Sequence, residues 1–219
     1  MRALLLGATG LVGRHCLDLL LADDAFPSVA VLGRRRVERA SPKLEQRVVD
    51  FDRLDEHADA FAAEAVFCCL GTTLRAAGSR EAFRRVDHDY PVRAAQLAAA
   101  GGARQFLLVT ALGADPGSSV FYNRVKGETE AAVRALPLPG VAILRPSLLL
   151  GEREGRRPAE ALAQKAAPLL NPLLVGPLRK YRALPGAAVA RALVRLAREG
   201  VEGVRIVESD EIAVLAGAA

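Results

Sequence analysis

Tryptophan is absent from this sequence of 219 residues, cysteine occurs only three times and aromatic residues make up 5%. No stretch approaches the roughly 20 consecutive apolar residues of a membrane-spanning helix, so we expect no membrane span. Cys68 and Cys69 are adjacent, and the three cysteines show no Cys-x-x-Cys pair and no histidine at the spacing of metal ligands, so no metal site is expected. Buried, reduced thiols are the simplest interpretation, and they favour a cytoplasmic protein.

The excess of positive charge is small and dispersed. The formal net charge is +5, and the basic residues are interspersed with 25 acidic ones. A nucleic-acid-binding surface usually combines a basic stripe with stacking aromatic side chains, and neither pattern is present. We therefore expect no nucleic-acid partner. The main basic cluster, Arg34–Arg36, follows a predicted strand, where the phosphate of a cofactor would lie.

Short apolar runs alternate with alanine-rich segments of helical periodicity along nearly the whole chain. The runs that predict strands are Ala3–Leu6, Ser28–Leu32, Arg47–Val49, Ala65–Cys69, Gln105–Thr110, Val141–Leu144 and Val204–Val207. The segments that predict helices are Leu11–Ala22, Glu81–Arg85, Pro91–Ala100, Val120–Leu136 and Ala187–Arg198. This alternation indicates an α/β fold, a doubly wound parallel sheet of the Rossmann type, formed by one domain over residues 1–219.

The C-terminal part of this domain differs in composition between residues 151 and 185, where prolines and arginines accumulate. One interpretation is a small substrate-side region of loops above the carboxyl edge of the sheet; the other is an irregular structural connection. The cluster Arg153, Arg156 and Arg157 suits an acidic or phosphorylated small molecule, or else faces solvent.

A glycine-rich turn joins the first predicted strand to the first predicted helix. Its glycines are spaced G-x-x-G-x-x-G, and the residues that we expect to contact a ligand are Gly7, Thr9, Gly10, Leu11, Val12 and Gly13. Such a turn lets the backbone approach a pyrophosphate, which then meets free N–H groups at the start of the helix. A strand before the glycines and an amphipathic helix after them are the context that makes a dinucleotide site the favoured interpretation.

The end of the second predicted strand indicates which dinucleotide binds. A fold specific for NAD places Asp or Glu there to accept a hydrogen bond from the ribose 2′-hydroxyl. This sequence instead reads Leu32-Gly33-Arg34-Arg35-Arg36, without a carboxylate in that segment. Arg34 and Arg35 can hold a 2′-phosphate through charge-assisted hydrogen bonds, so NADP(H) is favoured over NAD(H). The alternative is a solvated basic loop.

Two further strand ends are candidates for the same groove. Asp50 and Phe51 are expected to place a carboxylate and a ring edge beside the adenine. Leu70, Gly71 and Thr72 follow the fourth strand and can line the adjoining ribose with backbone and hydroxyl groups. Both segments are also compatible with ordinary turns.

Tyr122 and Lys126 are the candidate catalytic pair. They are four residues apart in a predicted helix and therefore lie on one face of it. An ammonium group beside a phenol favours the phenolate, which suits a general acid and base for carbonyl–alcohol interconversion. Thr110 is the candidate for orienting the substrate oxygen. The histidines are interpreted as structural or surface residues, and Asp87 as a helix cap rather than a catalytic group.

These motifs resemble an atypical short-chain dehydrogenase/reductase, and more narrowly the oxidoreductase family of the Tat-interacting protein. The matching segments are Gly7–Gly13, Leu32–Arg35, Val48–Phe51, Phe67–Thr73, Val86–Tyr90, Gly113–Asp115, Tyr122–Glu128 and Arg145–Pro146. The resemblance implies a Rossmann fold that binds NADP(H), a Tyr/Lys active site, and a nicotinamide lying beneath Pro146 and Ser147. The sequence departs from active relatives at Ala111, since those enzymes usually carry a serine at the end of the fifth strand.

Three functions are compatible with these observations. The first is an NADP(H)-dependent oxidoreductase acting on a small carbonyl or alcohol compound. The second is an NADP(H)-binding sensor or regulatory protein with little turnover, which the missing serine favours and the retained Tyr122 and Lys126 oppose. The third is a nucleotide-sugar epimerase or dehydratase. It ranks last because such enzymes usually carry a larger C-terminal substrate domain, and only about 70 residues follow Arg145 and Pro146. A homodimer or a protein partner is compatible with the alanine-rich helices.

Overall fold

The computed structural model describes residues 1–151, 171 and 174–217. The cluster of Arg153, Arg156 and Arg157, and much of the segment 151–185 that was interpreted as substrate-side loops, lie outside these residues. Within the described part, no helix is both long and apolar enough to cross a membrane.

A parallel sheet of seven strands forms the centre of the molecule. Its strands, in chain order, are β1 (Arg2–Leu6), β2 (Ser28–Gly33), β3 (Leu44–Val48), β4 (Ala65–Cys68), β5 (Gln105–Val109), β6 (Gly140–Arg145) and β9 (Gly203–Glu208). Their spatial order is β3-β2-β1-β4-β5-β6-β9, and every neighbouring pair is parallel. A second, two-stranded sheet pairs β7 (Leu149–Leu150) with β8 (Leu184–Pro185).

Helices cover both faces of the sheet, and strands such as β4 and β5 are therefore buried on both sides. The α-helices are α1 (Leu11–Ala22), α2 (Leu74–Ala77), α3 (Arg80–Arg84), α4 (Tyr90–Ala100), α5 (Phe121–Arg134), Gly186–Glu199 and Ser209–Leu215. One apolar core packs α1 and the helix Gly186–Glu199 against the sheet, and the other packs α4, α5 and a 3-10 segment, Phe51–Phe61. The predicted doubly wound parallel fold is confirmed.

The segment between α3 and α4 departs from regular helical geometry. Arg85–Asp89 form one turn of π-helix that continues directly into α4. Single π-turns shift the register of a helix by one residue and frequently occur at functional sites. Sequence periodicity predicted separate helices on either side and placed Asp87 at a helix start, but the chain is helical throughout and Asp87 is buried.

Candidate active site

A cleft of about 690 Å³ opens at the carboxyl edge of the sheet, where β1 and β4 lie side by side. This is the switch point at which the strand order reverses, and open α/β sheets bind ligands in that crevice. Its walls come from the turn after β1, the loops after β2 and β4, the end of β5 and one face of α5.

The glycine turn forms the floor of the cleft, and its geometry requires glycine at two positions. Gly7 has φ +85°, and a Cβ there would lie 2.5 Å from the carbonyl oxygen of Cys69. A Cβ on Gly13 would lie 2.0 Å from the carbonyl oxygen of Gly7, so α1 packs directly on the turn. Thr9, Gly10, Leu11 and Val12 line the cleft.

The N-terminus of α1 suits an anionic ligand. Gly10 precedes the helix, and no side chain of the described residues caps it. The first turn carries no acidic residue that would compete for its N–H groups. Arg14 lines the same cleft, and its buried Nε has no hydrogen-bond partner among the described residues. The turn, the helix end and this guanidinium therefore fit the phosphates of a dinucleotide.

The loop after β2 brings charges of both signs to the cleft. Arg35, Arg36 and Arg39 line it, with Arg39 paired to Asp18 at 2.7 Å, whereas Arg34 is exposed and does not belong to the lining. Glu38 also lines the cleft. Glu38 lies five residues after the end of β2, beyond the segment Leu32–Arg36 in which the sequence shows no carboxylate.

Asp50 and Phe51 lie outside the lining of this cleft. The Asp50 carboxylate accepts a hydrogen bond from the Asp52 N–H at 3.0 Å, and it thereby caps the 3-10 segment. Phe51 is buried, and its ring centroid lies 5.4 Å from that of Tyr90. The described contacts of these two residues are thus local and structural, and their contact with adenine stays a prediction.

The loop after β4 forms another part of the wall of the cleft. Leu70, Gly71 and Thr72 line the cleft, as expected. A Cβ on Gly71 would lie 3.4 Å from Asp87 Oδ1 and 3.7 Å from Lys126 Nζ. The backbone of this loop therefore passes close to the candidate catalytic pair.

Tyr122 and Lys126 line the same cleft as the glycine turn, and both belong to α5. The Tyr122 ring packs against Phe83, with 5.5 Å between the ring centroids. Lys126 is buried, and its Nζ lies 2.7 Å from Asp87 Oδ1. Burial alone lowers the pKa of Lys126, but Asp87 and Tyr122 outweigh it, and the pKa is raised above the usual value.

Asp87, like Arg14 and Glu38, is a residue of the cleft that was not predicted from the sequence. It lines the cleft, and its Oδ2 accepts a hydrogen bond from the Thr72 N–H at 2.8 Å. Residues 87 and 126 are far apart in the chain, so only the packing of α5 on the π-turn brings them together. The apolar residue before Asp87 was the single sequence sign that this aspartate belongs to a buried face.

Thr110 reaches the cleft but already has a hydrogen-bond partner. Its hydroxyl donates to Glu130 Oε1 at 2.6 Å, and both residues are buried. Glu130 in turn accepts from Arg145, whose Nη2 lies 2.5 Å from Oε2, and Arg145 also contacts Glu208 at 3.2 Å. Because a hydroxyl has one hydrogen, Thr110 in this arrangement cannot also donate to a substrate carbonyl.

Pro146 and Ser147 follow β6 and lie outside the cleft lining. Pro146 is buried. The Ser147 hydroxyl donates to the carbonyl oxygen of Arg182, and its N–H donates to Ser209 Oγ at 3.2 Å. The main described contacts of Ser147 are therefore with the C-terminal part of the chain.

All three cysteines are free thiols, and Cys69 lies in the lining of the cleft. Burial raises the pKa of Cys68 to about 12. A hydrogen bond with Cys16, together with burial, raises the pKa of Cys69 well above its usual value. Both thiols are thus protonated and unreactive near neutral pH.

We expect an aromatic disulfide reagent at about pH 8 to leave Cys68 and Cys69 unmodified for minutes in the folded protein, because their raised pKa values keep them protonated and only the thiolate attacks. The same reagent should modify both once guanidinium chloride unfolds the chain. Because the pKa values of these two thiols are raised, their reaction in the folded protein should accelerate as the pH increases. Rapid modification of either thiol at about pH 8 would contradict this, and mass mapping would show which of the two had reacted.

Comparisons with known proteins support a nicotinamide cofactor. The model of the family described as NAD(P)H-binding matches residues 7–169. The chain is similar to Protein HTATIP2 of Rattus norvegicus, with 46% identity over 165 residues that cover 74% of this chain and 68% of the relative. It is 36% identical to Protein FMP52-1, mitochondrial, of Scheffersomyces stipitis over 216 residues, which cover 92% and 90% of the two chains.

Solved structures show the same fold at low sequence identity. MoeE5 in complex with UDP-glucose and NAD superposes with a TM-score of 0.71 at 16% identity, covering 99% of this chain and 81% of that one. The UDP-glucose 4-epimerase of Thermotoga maritima has a TM-score of 0.70 at 18% identity, with 95% and 77% covered. At this identity the likeness concerns the fold alone.

The fungal relatives correct the prediction of a cytoplasmic protein, which is wrong. Relatives from Scheffersomyces stipitis, Emericella nidulans and Aspergillus niger are named as mitochondrial proteins. Reduced thiols persist in any reducing compartment, so the cysteine content did not distinguish the cytoplasm from other reducing compartments.

Proposed function

Since the chain belongs to the NAD(P)H-binding family, and within it to the HTATIP2 family of atypical short-chain dehydrogenases/reductases, we propose that it is an NADP(H)-dependent oxidoreductase. Its reaction would interconvert a carbonyl and an alcohol in a small molecule. The observation that carries the proposal is that Tyr122 and Lys126 share one cleft with the glycine turn.

In the proposed reaction, the residues of the cleft bind, orient and transfer a proton. A bound nicotinamide supplies or accepts the hydride. The Tyr122 hydroxyl donates a proton to the substrate oxygen in reduction and accepts it back in oxidation. Lys126 favours the phenolate that forms on Tyr122, because the two side chains share one face of α5. The Gly10–Val12 backbone and the loop Leu70–Thr72 hold the rest of the cofactor.

The preference for NADP(H) rests on the arginines of the cleft. Arg35 and Arg36 line it and supply planar, permanently charged donors for a 2′-phosphate. Glu38 in the same lining opposes such a phosphate, and it is outnumbered by these two cations. Arg34, which the sequence also suggested as a ligand of the 2′-phosphate, is not needed for this preference.

Replacing Arg36 by glutamine should raise the Kd for NADPH by a factor of about 10 to 100, because a hydrogen bond to a charged group contributes roughly 1.5–3 kcal/mol. The Kd for NADH should stay nearly constant, since that cofactor lacks the 2′-phosphate. Arg34→Gln is the matched control, because Arg34 is an exposed neighbour outside the lining. Fluorescence titration measures both constants. Equal weakening of NADPH and NADH would contradict the assignment.

The proposed activity is tested by oxidation of NADPH with a panel of aldehydes, ketones and quinones, followed through the absorbance of the reduced nicotinamide. We expect turnover of at least one carbonyl class, with NADPH preferred to NADH. Tight NADPH binding without turnover on the whole panel would reject the oxidoreductase.

One observation favours a second function, an NADP(H)-binding sensor or regulatory protein with little turnover. The Thr110 hydroxyl donates to Glu130, and Ala111 carries no polar group, so the end of β5 offers no side-chain donor to a substrate carbonyl. For a sensor we expect NADPH binding without turnover, and a protein partner that is recovered with NADPH and lost without it.

A further inference from the structure

The arginines of the β2 loop lie far from the end of the cleft that holds Tyr122. That loop contributes four charged side chains to the lining, Arg35, Arg36, Glu38 and Arg39. Tyr122 belongs to α5, which follows β5. The strands β1 and β4 lie between β2 and β5, and all four end in register, so three strand spacings, roughly 14 Å, separate the ends of β2 and β5.

The charges beside Tyr122 cancel each other. Lys126 Nζ lies 2.7 Å from Asp87 Oδ1, and both side chains are almost fully buried. Tyr122 is close enough to this ammonium to influence its pKa, which is raised by Asp87 and Tyr122 together. An anionic group of a substrate placed here would approach an aspartate as well as a lysine. It would lose its water without gaining an unpaired cation in return, which is costly.

Apolar side chains contribute to the same part of the lining. Leu70 follows β4, Val109 ends β5, and Leu149 belongs to β7, which follows β6. Since β6 is the next neighbour of β5, these side chains come from the half of the sheet that carries Tyr122. Walls of this kind bind the apolar part of a small molecule, while a few polar groups orient it.

We infer that the substrate of this cleft is an uncharged carbonyl or alcohol compound whose reacting carbon carries an apolar alkyl or aryl group. The inference rests on the proposed function, because it takes Tyr122 to mark the place of the reaction. The cofactor is then the anionic ligand of the cleft, with its phosphates toward the glycine turn and the arginines of the β2 loop. The substrate meets a wall in which the buried charges are already paired.

The test compares compounds that differ by one charge. The pairs are methyl 4-formylbenzoate with 4-formylbenzoate, and methyl 4-acetylbenzoate with 4-acetylbenzoate. Their binding to the complex of the protein with NADP+ is measured by calorimetry near neutral pH, where both acids are ionised. The oxidised cofactor carries no hydride for carbonyl reduction, so binding is observed without that reaction. We expect the Kd of each ester to be at least about tenfold lower than that of its acid, because the acid would bury an unpaired charge.

Leu149→Arg separates the effect of charge from the greater apolarity of the esters. The new guanidinium offers the wall a cation without a buried partner, so the Kd of 4-formylbenzoate should fall about tenfold, and that of its ester should not fall. Leu148→Arg is the matched control, because Leu148 is the preceding residue, is 48% exposed and lies outside the cleft lining. It adds the same charge in solvent and should leave both constants nearly unchanged.

Three results would overturn the inference. They are an acid that binds the wild type as tightly as its ester, esters that do not bind at millimolar concentration, and a folded Leu149→Arg variant with unchanged affinity for 4-formylbenzoate. The first two need no variant, so the test stands even if Leu149→Arg does not fold.

A failure of this inference is distinct from a failure of the proposed oxidoreductase, because reduction by NADPH is measured separately. Esters that bind more tightly than their acids but are not reduced would count against the oxidoreductase and support the inferred polarity of the site. Reduction of the acids in preference to their esters would support the oxidoreductase and overturn the inference.

Discussion

Tyr122→Phe should lower kcat for NADPH-dependent carbonyl reduction by a factor of about 10²–10⁴, the range that general acid–base catalysis contributes. The substitution removes only the hydroxyl that transfers the proton. Phenylalanine keeps the ring that packs against Phe83, so the fold and the Kd for NADPH should be unchanged. Steady-state kinetics on the best substrate of the carbonyl panel, with cofactor titration alongside, measure both quantities.

Tyr181→Phe is the control for this substitution, because Tyr181 is 53% exposed and lies outside the cleft lining. It removes the same atom and should leave kcat unchanged. Equal rates for wild type and Tyr122→Phe would remove Tyr122 from the mechanism and leave Lys126 as a binding residue only. A parallel loss in kcat and in NADPH affinity would indicate that the hydroxyl orders the cleft instead of transferring a proton.

The fold could be predicted from the sequence because its signals are local. All seven strands of the central sheet were placed within a few residues, and the bounds of α1 were predicted as observed, Leu11–Ala22. Continuous apolar runs are typical of strands buried on both faces, and the glycine turn marks the junction of β1 and α1. The 3-10 segment Phe51–Phe61, the helix Ser209–Leu215 and the pair β7–β8 were not predicted. They are short or irregular, so periodicity is weak there.

The chemistry of the site could be predicted only in part, because the partners of each polar group come from distant segments. The sequence identified Tyr122 and Lys126 through their spacing on one helix. It did not identify Asp87 as the partner of Lys126, or Glu130 as the partner of Thr110, since both contacts depend on how α5 packs against its neighbours. The missing serine at Ala111 was visible in the sequence, whereas the engaged hydroxyl of Thr110 was not.

The positions of the charged residues around the cleft could likewise be predicted only in part. A run of arginines after β2 indicated a basic site, but which of them face the cleft depends on the path of the loop. Arg36 lines the cleft and Arg34 does not, while Arg14 comes from the first turn of α1. Its position directly after Gly13 was the sequence sign that could have revealed it, because residues of that turn lie next to a bound phosphate.

Lys126→Met should lower the free energy of unfolding by about 3–5 kcal/mol, because it leaves the Asp87 carboxylate buried without its cation. Methionine nearly matches the length of lysine, so the loss reflects charge more than packing. This difference in the free energy of unfolding should become smaller in mildly acidic solution, where an unpaired buried carboxylate can take up a proton. Urea unfolding followed by circular dichroism measures these differences. Lys43→Met is the control: its partner Asp24 is fully exposed, and the cost should stay below about 1 kcal/mol.

The double variant Asp87→Asn, Lys126→Met separates the effect of the buried ion pair on stability from its effect on turnover. Removing both charges should restore much of the stability lost in Lys126→Met, because neither ion then remains buried alone. NADPH-dependent turnover should not return with it, since the ammonium beside Tyr122 is gone. Recovery of stability without recovery of turnover would mean that the pair is kept for the reaction. A double variant as unstable as Lys126→Met would instead show that Asp87 is held by its bond to Thr72 and not by the lysine.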